Sequence, residues 1–456
     1  MRILFIGGCK SGKSSTAQRT ARALAQDGPM YYWATMEPHD DEDLARIRRH
    51  IADREGWGFA TIERARDLTA GLSGVDPAGT VLFDSVTACL AAQMFEGGGM
   101  DAGAPARVAE QLLAVSRHPA HFVCVCDGIW QGGEDYDPWT AAYTAGLARI
   151  CRALAAGKDV VTANKAVISA YYRELTALAH ENGAALRCTA AVGGGIPWLV
   201  NLQRCRRVDT VTEVGGIMNG TTNFIMDAMA RQGADFPAVL QRAQELGYAE
   251  ADPSADIDGD DIRRKLTISA NIAFDALLRE EDIPAFGIRT VTGADVADFR
   301  AHGFTCKLLA CAQRTETGVA AYVEPALVAE GEPEAAVPGN YNLISCTGEL
   351  LGRQSYFGQG AGRYPTAANV VQDCLDLLAG EDGFYTETAR PMAVEADAVA
   401  HPYYVRTQAA DPWLKSVTAD RWAGGVITGA VPVGQMLRWA AAQRQRDPGC
   451  FVAGIR

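Results

Sequence analysis

The segment Gly7-Gly8-Cys9-Lys10-Ser11-Gly12-Lys13-Ser14 directly follows the apolar run Ile3–Ile6 and precedes Ala17–Ala25, a stretch of good helix formers. A strand, a turn with GxxxxGK[ST] spacing and a helix restrict the chain to an α/β fold with a parallel sheet, its turn wrapped around phosphate. Each part has a chemical task. Gly7, Gly8 and Gly12 let backbone N–H groups close on phosphate oxygens, and Lys13 brings a mobile positive charge to the β/γ-phosphates. The Ser14 hydroxyl can ligate Mg²⁺, while the helix beginning there points its positive end at the nucleotide. A second apolar run, Val81-Leu82-Phe83-Asp84, ends in a carboxylate. Alone, such an Asp reads as a helix cap; beside a phosphate loop, Asp84 joins Ser14 as a candidate Mg²⁺ ligand.

Composition narrows the class further. A chain of 456 residues has material for about three domains. The net charge of −13 comes with no Lys/Arg block, which argues against a nucleic-acid partner. No apolar run approaches the length of a membrane span, and the N-terminal Arg2–Gly7 reads as a strand, not a leader. The twelve cysteines show no CxxC or zinc spacing, and several sit in apolar runs such as Phe122–Cys126. They read as buried thiols of a cytoplasmic protein.

Between the two nucleotide motifs lie Tyr32-Trp33-Ala34-Thr35, the helix pattern Arg46-Ile47-Arg48-Arg49-His50-Ile51-Ala52-Asp53-Arg54, and the strand Thr61-Ile62-Glu63. With the phosphate loop, these resemble the bifunctional adenosylcobinamide kinase/adenosylcobinamide-phosphate guanylyltransferase family. The resemblance implies GTP or ATP with Mg²⁺, places Glu63 with the nucleotide, and makes His50 the nucleophile that carries GMP. By its own spacing, His50 is a residue on the solvated face of an Arg-rich helix. Neutral imidazole is nonetheless a competent nucleophile near pH 7, and Arg46, Arg49 and Arg54 could steady phosphate charge. One departure stands out: the family's Asn-Glu after the strand at 121–126 is missing, and this chain reads Asp127-Gly128 there.

From Gly157 the sequence changes character. Gly157–Ala166 (GKDVVTANKA), Ala191–Pro197 (AVGGGIP), Asn219–Asn223 (NGTTN), Leu246–Pro253 (LGYAEADP), Asp256–Lys265 (DIDGDDIRRK), and Gly358–Gly362 (GQGAG) with Pro365-Thr366-Ala367 follow in order. They resemble homoserine dehydrogenase, an NAD(P)-dependent oxidoreductase of threonine and methionine biosynthesis that interconverts L-homoserine and L-aspartate 4-semialdehyde. Spacing alone puts Asp261 and Lys265 on one helix face, as in an ordinary i,i+4 ion pair. Five Asp crowd between 252 and 261, a charge suited to an α-amino group. The resemblance gives Lys265 the proton transfer at the substrate oxygen, with Asp261 beside it. It gives Glu250 the amino group and puts Lys165 near the nicotinamide. Tyr248, Asp256, Asn219, Gly220 and Thr221 fall to the substrate, and Gly360 and Gly362 to the cofactor.

Two departures shape the expectation. A sodium site would use carbonyls around Val192, Gly194 and Ile196, but Thr189 stands where the family has a Glu, which implies a weak or absent site. The family's N-terminal G-x-G-x-x-G unit is also absent, and the phosphate-loop domain stands in its place. The helix pattern Arg149–Ala156 could let one sheet run across the junction.

The expected domains are a phosphate-loop unit at 1–156, a remnant of a dinucleotide domain at 157–191, an α+β catalytic domain at 192–380 and a C-terminal segment at 381–456. In that last segment His401–Arg406 resembles the first strand of an ACT regulatory module, with about fifty residues remaining, too few for a complete one. A homodimer is expected by resemblance. Three readings stay open: a homoserine dehydrogenase-like enzyme fused to a nucleotide domain, a cobinamide-salvage transferase carrying an inert dehydrogenase remnant, and a non-catalytic protein that binds nucleotide and amino acid.

Overall fold

The computed structural model describes residues 1–7, 13–38, 44, 47–48, 50–52, 54–95, 99–127, 148, 159–250, 252–385 and 388–456. Gly8, Gly12, Arg46, Arg49, Asp53, Gly128 and the expected junction helix Arg149–Ala156 lie outside these residues. The chain forms two compact units. The first combines residues 1–191 with 362–384, and the second combines 192–361 with 385–456.

The first unit is built on β1 (Arg2–Gly7), β2 (Met30–Ala34), β3 (Phe59–Glu63), β4 (Thr80–Asp84) and β5 (His121–Asp127). All pairings are parallel, in the order β1-β5-β4-β2-β3. Near-continuous apolar runs such as Val81-Leu82-Phe83 are what a parallel strand buried on both faces requires, and both faces are covered. On one face, Trp33, Phe83 and Phe122 pack with Val86, Leu90, Val108 and Leu112 of the helices Val86–Met94 and Ala104–Arg117. On the other, Ile3, Phe5, Val123 and Val125 meet Ala17, Ala21 and Leu24, the i, i+4, i+7 stripe of the helix Lys13–Ala25.

That second face also holds Val161, Val370 and Cys374. Val161 belongs to β6 (Val160–Val161), which pairs in parallel with β7 (Leu186–Arg187), the two flanking the helices Lys165–Ala170 and Tyr172–Glu181. Val370 and Cys374 lie on the helix Arg363–Leu378. The sequence places that helix in the catalytic domain, yet it completes the core of the first unit, and Arg363 donates to Ser15 Oγ at 2.7 Å. The single sheet expected across the junction does not form among the described residues. β6 and β7 make a separate two-stranded sheet packed on the same apolar face. The two-residue length of each strand explains this, since so short a ladder adds little pairing to the edge of β1.

The second unit carries β8 (Val211–Ile217), β9 (Phe304–Arg314), β10 (Gly318–Ala329), β11 (Tyr341–Gly348) and β12 (Gly352–Gln359). Shorter strands follow: β13 (Ala393–Val394), β14 (Ala400–His401), β15 (Tyr403–Arg406), β16 (Thr418–Arg421), β17 (Val426–Thr428), β18 (Val431–Pro432) and β19 (Phe451–Ile455). Nine strands run β12-β11-β8-β9-β10-β19-β15-β17-β16, with β13 added beside β10. Two glycines let β8 sit between β11 and β9. A Cβ on Gly215 would stand 2.4 Å from Ala310 O, and one on Gly216, where φ is +121°, would stand 2.2 Å from Leu343 O.

In the C-terminal stretch β15, the helix Pro412–Val417, β16, β17, β18, the helix Val433–Arg446 and β19 follow in chain order, β18 pairing apart with β14. Spatially the other strands run β19-β15-β17-β16. Trp413 lies tilted against Trp439, and Trp422 lies flat on His302. β19 pairs in parallel with β10 through Ala326–Gly454 and Leu327–Ile455.

Candidate functional site

In the first unit a cleft of about 450 Å³ opens at the carboxyl ends of the strands, the place where open α/β sheets take ligands. The helix Lys13–Ala25 puts Lys13 and Ser14 into it at its N-terminus, and β4 delivers Asp84. Ser14 Oγ donates to Asp84 Oδ1 at 3.4 Å, and the Tyr32 hydroxyl donates to Asp84 Oδ2 at 3.0 Å. Lys13 Nζ lies 2.5 Å from Asp127 Oδ1. The β2 and β4 ends are clamped: Ser85 N donates to Thr35 Oγ1 at 2.8 Å, and Thr35 Oγ1 donates to Ser85 O at 2.7 Å.

His50, Arg54 and Glu63 line the same cleft. The Arg54 guanidinium sits 3.7 Å from the Tyr32 ring centroid and donates to His50 O at 2.9 Å, which ties the histidine's helix to β2. The structure therefore brings Lys13, Ser14, His50, Glu63 and Asp84 together. Asp127 was not among the residues picked from sequence. Its signal was its place at the end of an apolar strand, the same signal that singled out Asp84. A hydroxyl beside a strand-end carboxylate, with a lysine at a helix N-terminus, is a donor set that fits a magnesium nucleoside triphosphate.

In the second unit the constellation centres on the helix Asp260–Phe274, buried over most of its length. It starts at Gly259, whose φ of +95° turns the chain from the short helix Ser254–Ile257. Lys265 Nζ meets Asp261 Oδ2 at 2.7 Å and donates to Met218 O at 2.7 Å. Asn219 Nδ2 donates to Asp256 Oδ1 at 2.7 Å and Asp261 Oδ2 at 2.8 Å, while its Oδ1 caps the helix Gly220–Gln232 at Thr222 N. Gly220 has a steric reason: a Cβ there would stand 2.5 Å from Asn340 O. Thr221 Oγ1 donates to Tyr248 O at 2.6 Å, and the Tyr248 ring packs edge-on against Phe224. Glu250 is exposed on the same segment.

The acidic run is not the open anionic patch expected from composition. Asp258 pairs with Arg289, Asp260 with Arg263 and Asp261 with Lys265, while Asp252 Oδ1 accepts from Ser254 N. Two of these cations come from the helix itself and one from thirty-one residues away. Gly360 has a packing role, since a Cβ there would collide with the Asn342 amide, and one on Gly194 would stand 2.6 Å from Gly360 O. Gly362 caps the helix Arg363–Leu378 with φ +125°, and Lys165 opens its helix behind the cap Asn164, both in the first unit. Near Val192, Gly194 and Ile196, Ile196 N donates to Gly193 O. Thr189 spends its N–H and hydroxyl on Asp373, at 2.8 and 2.6 Å. Among the described residues no group of three or more His, Cys, Asp or Glu could hold a metal ion. None of the ten described cysteines forms a disulfide, and no described helix is long and apolar enough to cross a membrane.

The two units are thus a parallel-sheet α/β unit with a polar cleft at its strand ends and an α+β unit built on one large mixed sheet. Residues 3–169 match the family model "Cobinamide kinase / cobinamide phosphate guanyltransferase", and residues 197–375 match that of homoserine dehydrogenase. The N-terminal part of the chain is thus similar to the first family and its central part to the second. The homoserine dehydrogenase of a Synechocystis strain is 42% identical over 233 residues, covering 50% of this chain and 54% of that protein. That of Pseudomonas aeruginosa is 39% identical over 280 residues, covering 59% and 64%. The chain therefore spans between half and two thirds of the length of these curated relatives. The crystal structure of a homoserine dehydrogenase from Thiobacillus denitrificans shares the fold with a TM-score of 0.66 at 24% identity, covering 100% of this chain and 98% of that one. A hyperthermophilic archaeal homoserine dehydrogenase in complex with NADPH gives 0.52 at 19% identity, covering 84% and 100%.

Proposed function

We propose that the second unit works as a homoserine dehydrogenase, taking L-homoserine to L-aspartate 4-semialdehyde with NAD(P)⁺. The observation that carries this is the buried Lys265–Asp261 pair, braced by Asn219 and the Met218 carbonyl. Two acceptors fix the Lys265 ammonium, so its proton traffic is aimed at one point. In the reductive direction the Lys265 ammonium gives its proton to the forming alkoxide; in the oxidative direction the lysine, as the free amine after releasing that proton to solvent, takes the proton of the substrate hydroxyl. Glu250 and Asp256 are assigned to the α-amino group, and Lys165 to the developing negative charge on oxygen.

NAD(P) supplies the hydride chemistry when bound. The strand–turn–helix of the first unit, with Lys13 and Ser14 facing strand-end carboxylates, does not fit a dinucleotide pyrophosphate, so no step is derived through that group. Carbonyls near Val192, Gly194 and Ile196 are assigned at most a weak sodium site, and the working state is a homodimer.

The first unit is assigned a magnesium-dependent nucleotide reaction on GTP or ATP, with adenosylcobinamide as acceptor. Lys13, Ser14 and Asp84 would hold the triphosphate, Glu63 would contact the nucleotide and His50 would carry GMP. The cleft that gathers these side chains supports the reading. The deciding experiment is homoserine-dependent reduction of NAD⁺ and NADP⁺ by the full chain, with Lys265→Ala as control. A rate lost in the variant supports the dehydrogenase; no rate in the intact protein refutes it.

A further inference from the structure

The strand order places β5 between β1 and β4, next to the strand that precedes the helix Lys13–Ala25. Asp127 is its last residue, opposite Gly7 in register. Its backbone is fixed, because its N–H donates to Thr87 Oγ1 at 2.6 Å on the helix Val86–Met94. Its carboxylate lies 2.5 Å from Lys13 Nζ, and the two side chains are only 11% and 19% exposed. With so little solvent to screen it, the direct attraction between the two charges exceeds that of a surface ion pair.

The arrangement opposes a nucleotide in two ways. A triphosphate must draw Lys13 away from a carboxylate already in contact with it. It must then accept that carboxylate, with Asp84 one strand away, beside its own negative charge. We propose that Asp127 is an electrostatic latch on the phosphate loop, competing with a nucleoside triphosphate for Lys13 and setting the affinity of the cleft. The inference rests on the reading that the first unit takes a nucleoside triphosphate. Replacing the carboxylate by an amide keeps an acceptor oxygen for Lys13 and removes the competing charge.

The test is equilibrium dialysis of radiolabelled GTP with Mg²⁺ against the full chain, its Asp127→Asn and Asp127→Ser variants, and Asp127→Asn in a Lys13→Met background. Thermal melting checks that each protein is folded. At least tenfold tighter binding in either folded Asp127 variant is expected. In the Lys13→Met background the gain should shrink below threefold, or binding should vanish. Unchanged or weaker binding in both Asp127 variants overturns the latch while leaving the nucleotide reading intact. A full tenfold gain that survives Lys13→Met also overturns it, because the carboxylate would then act on the phosphates and not through the lysine. Absence of GTP binding in every protein up to millimolar concentration refutes the nucleotide reading, and the latch with it.

Discussion

The Arg187 guanidinium lies 3.3 Å from the Asp373 carboxylate across 186 residues of chain, and both side chains are sealed from solvent. Arg187 also reaches Asp376 at 2.6 Å and the Asp382 carbonyl at 2.7 Å, with the Phe384 ring 4.6 Å from its cation. The pair ties β7 to the helix Arg363–Leu378. Removing one partner of a buried pair strands the other, so Asp373→Ala should cost about 3 kcal/mol or more in a denaturant titration, and Arg187→Ala at least as much.

The same carboxyl carries a pH signature. Burial pushes Asp373 up to about 6, against the lowering effect of the Thr189 hydrogen bonds and the Arg187 charge. Its unfolded value is about 3.9, so between these limits the native state binds more protons than the unfolded one. This group's contribution to stability therefore falls as pH rises through about 4 to 6 and is flat above. The stability of the intact protein relative to Asp373→Asn should decline over that window and then stay level. A level difference from pH 4 to 7 would contradict the assignment.

Gly216→Ala sets a Cβ 2.2 Å from the Leu343 carbonyl at a backbone φ of +121°. Neither strain can relax without separating β8 from β11, so a loss of more than about 2 kcal/mol is expected. Gly233→Ala, also at positive φ but with open space around it, should cost about 1 kcal/mol. Comparing the two melting temperatures checks the packing contribution directly.

In the dehydrogenase assay, Lys265→Ala should lower kcat for homoserine oxidation by roughly 10²–10⁴-fold, the usual worth of a positioned acid/base group. Asp261→Asn keeps the shape but loses the charge that orients Lys265, and should show a smaller loss with a displaced pH profile. Equal rates in Lys265→Ala and the parent would remove the lysine from the mechanism.

If His50 forms a phosphoramidate, the protein incubated with GTP labelled at the α-phosphate should retain acid-labile label, and His50→Ala should retain none. Label surviving in His50→Ala would place the nucleophile elsewhere.

Much of this was readable before the structure because it depends on local spacing. The loop ending at Lys13-Ser14, the strand end at Asp84 and the Asp261–Lys265 face all follow from residues within a few positions of one another. What escaped the sequence depends on distant partners. Nothing near Asp127 announces Lys13, because the insertion of β5 between β1 and β4 is a matter of topology. Arg289 neutralises Asp258 from across a loop, so a local count of carboxylates overstates the free charge. Lys307, fully buried on β9, donates to Asn223 and to the Val337 carbonyl, both at 2.8 Å. The NGTTN motif is thus partly a packing device, which its sequence does not reveal.

The parallel pairing of β19 with β10 has a consequence for any shortened form of this chain. β10 is buried from Gly318 to Val328, and on the side away from β9 its N–H and C=O groups meet β13 and β19. Cutting the chain before residue 400 would bare the edge of β10 at Ala326 and Leu327 and leave the buried Glu324 without Tyr403 and His401. Such an edge templates association with other chains. A truncated protein should therefore come out of the cell as aggregate, which makes the C-terminal module a guard on solubility as well as a covering layer.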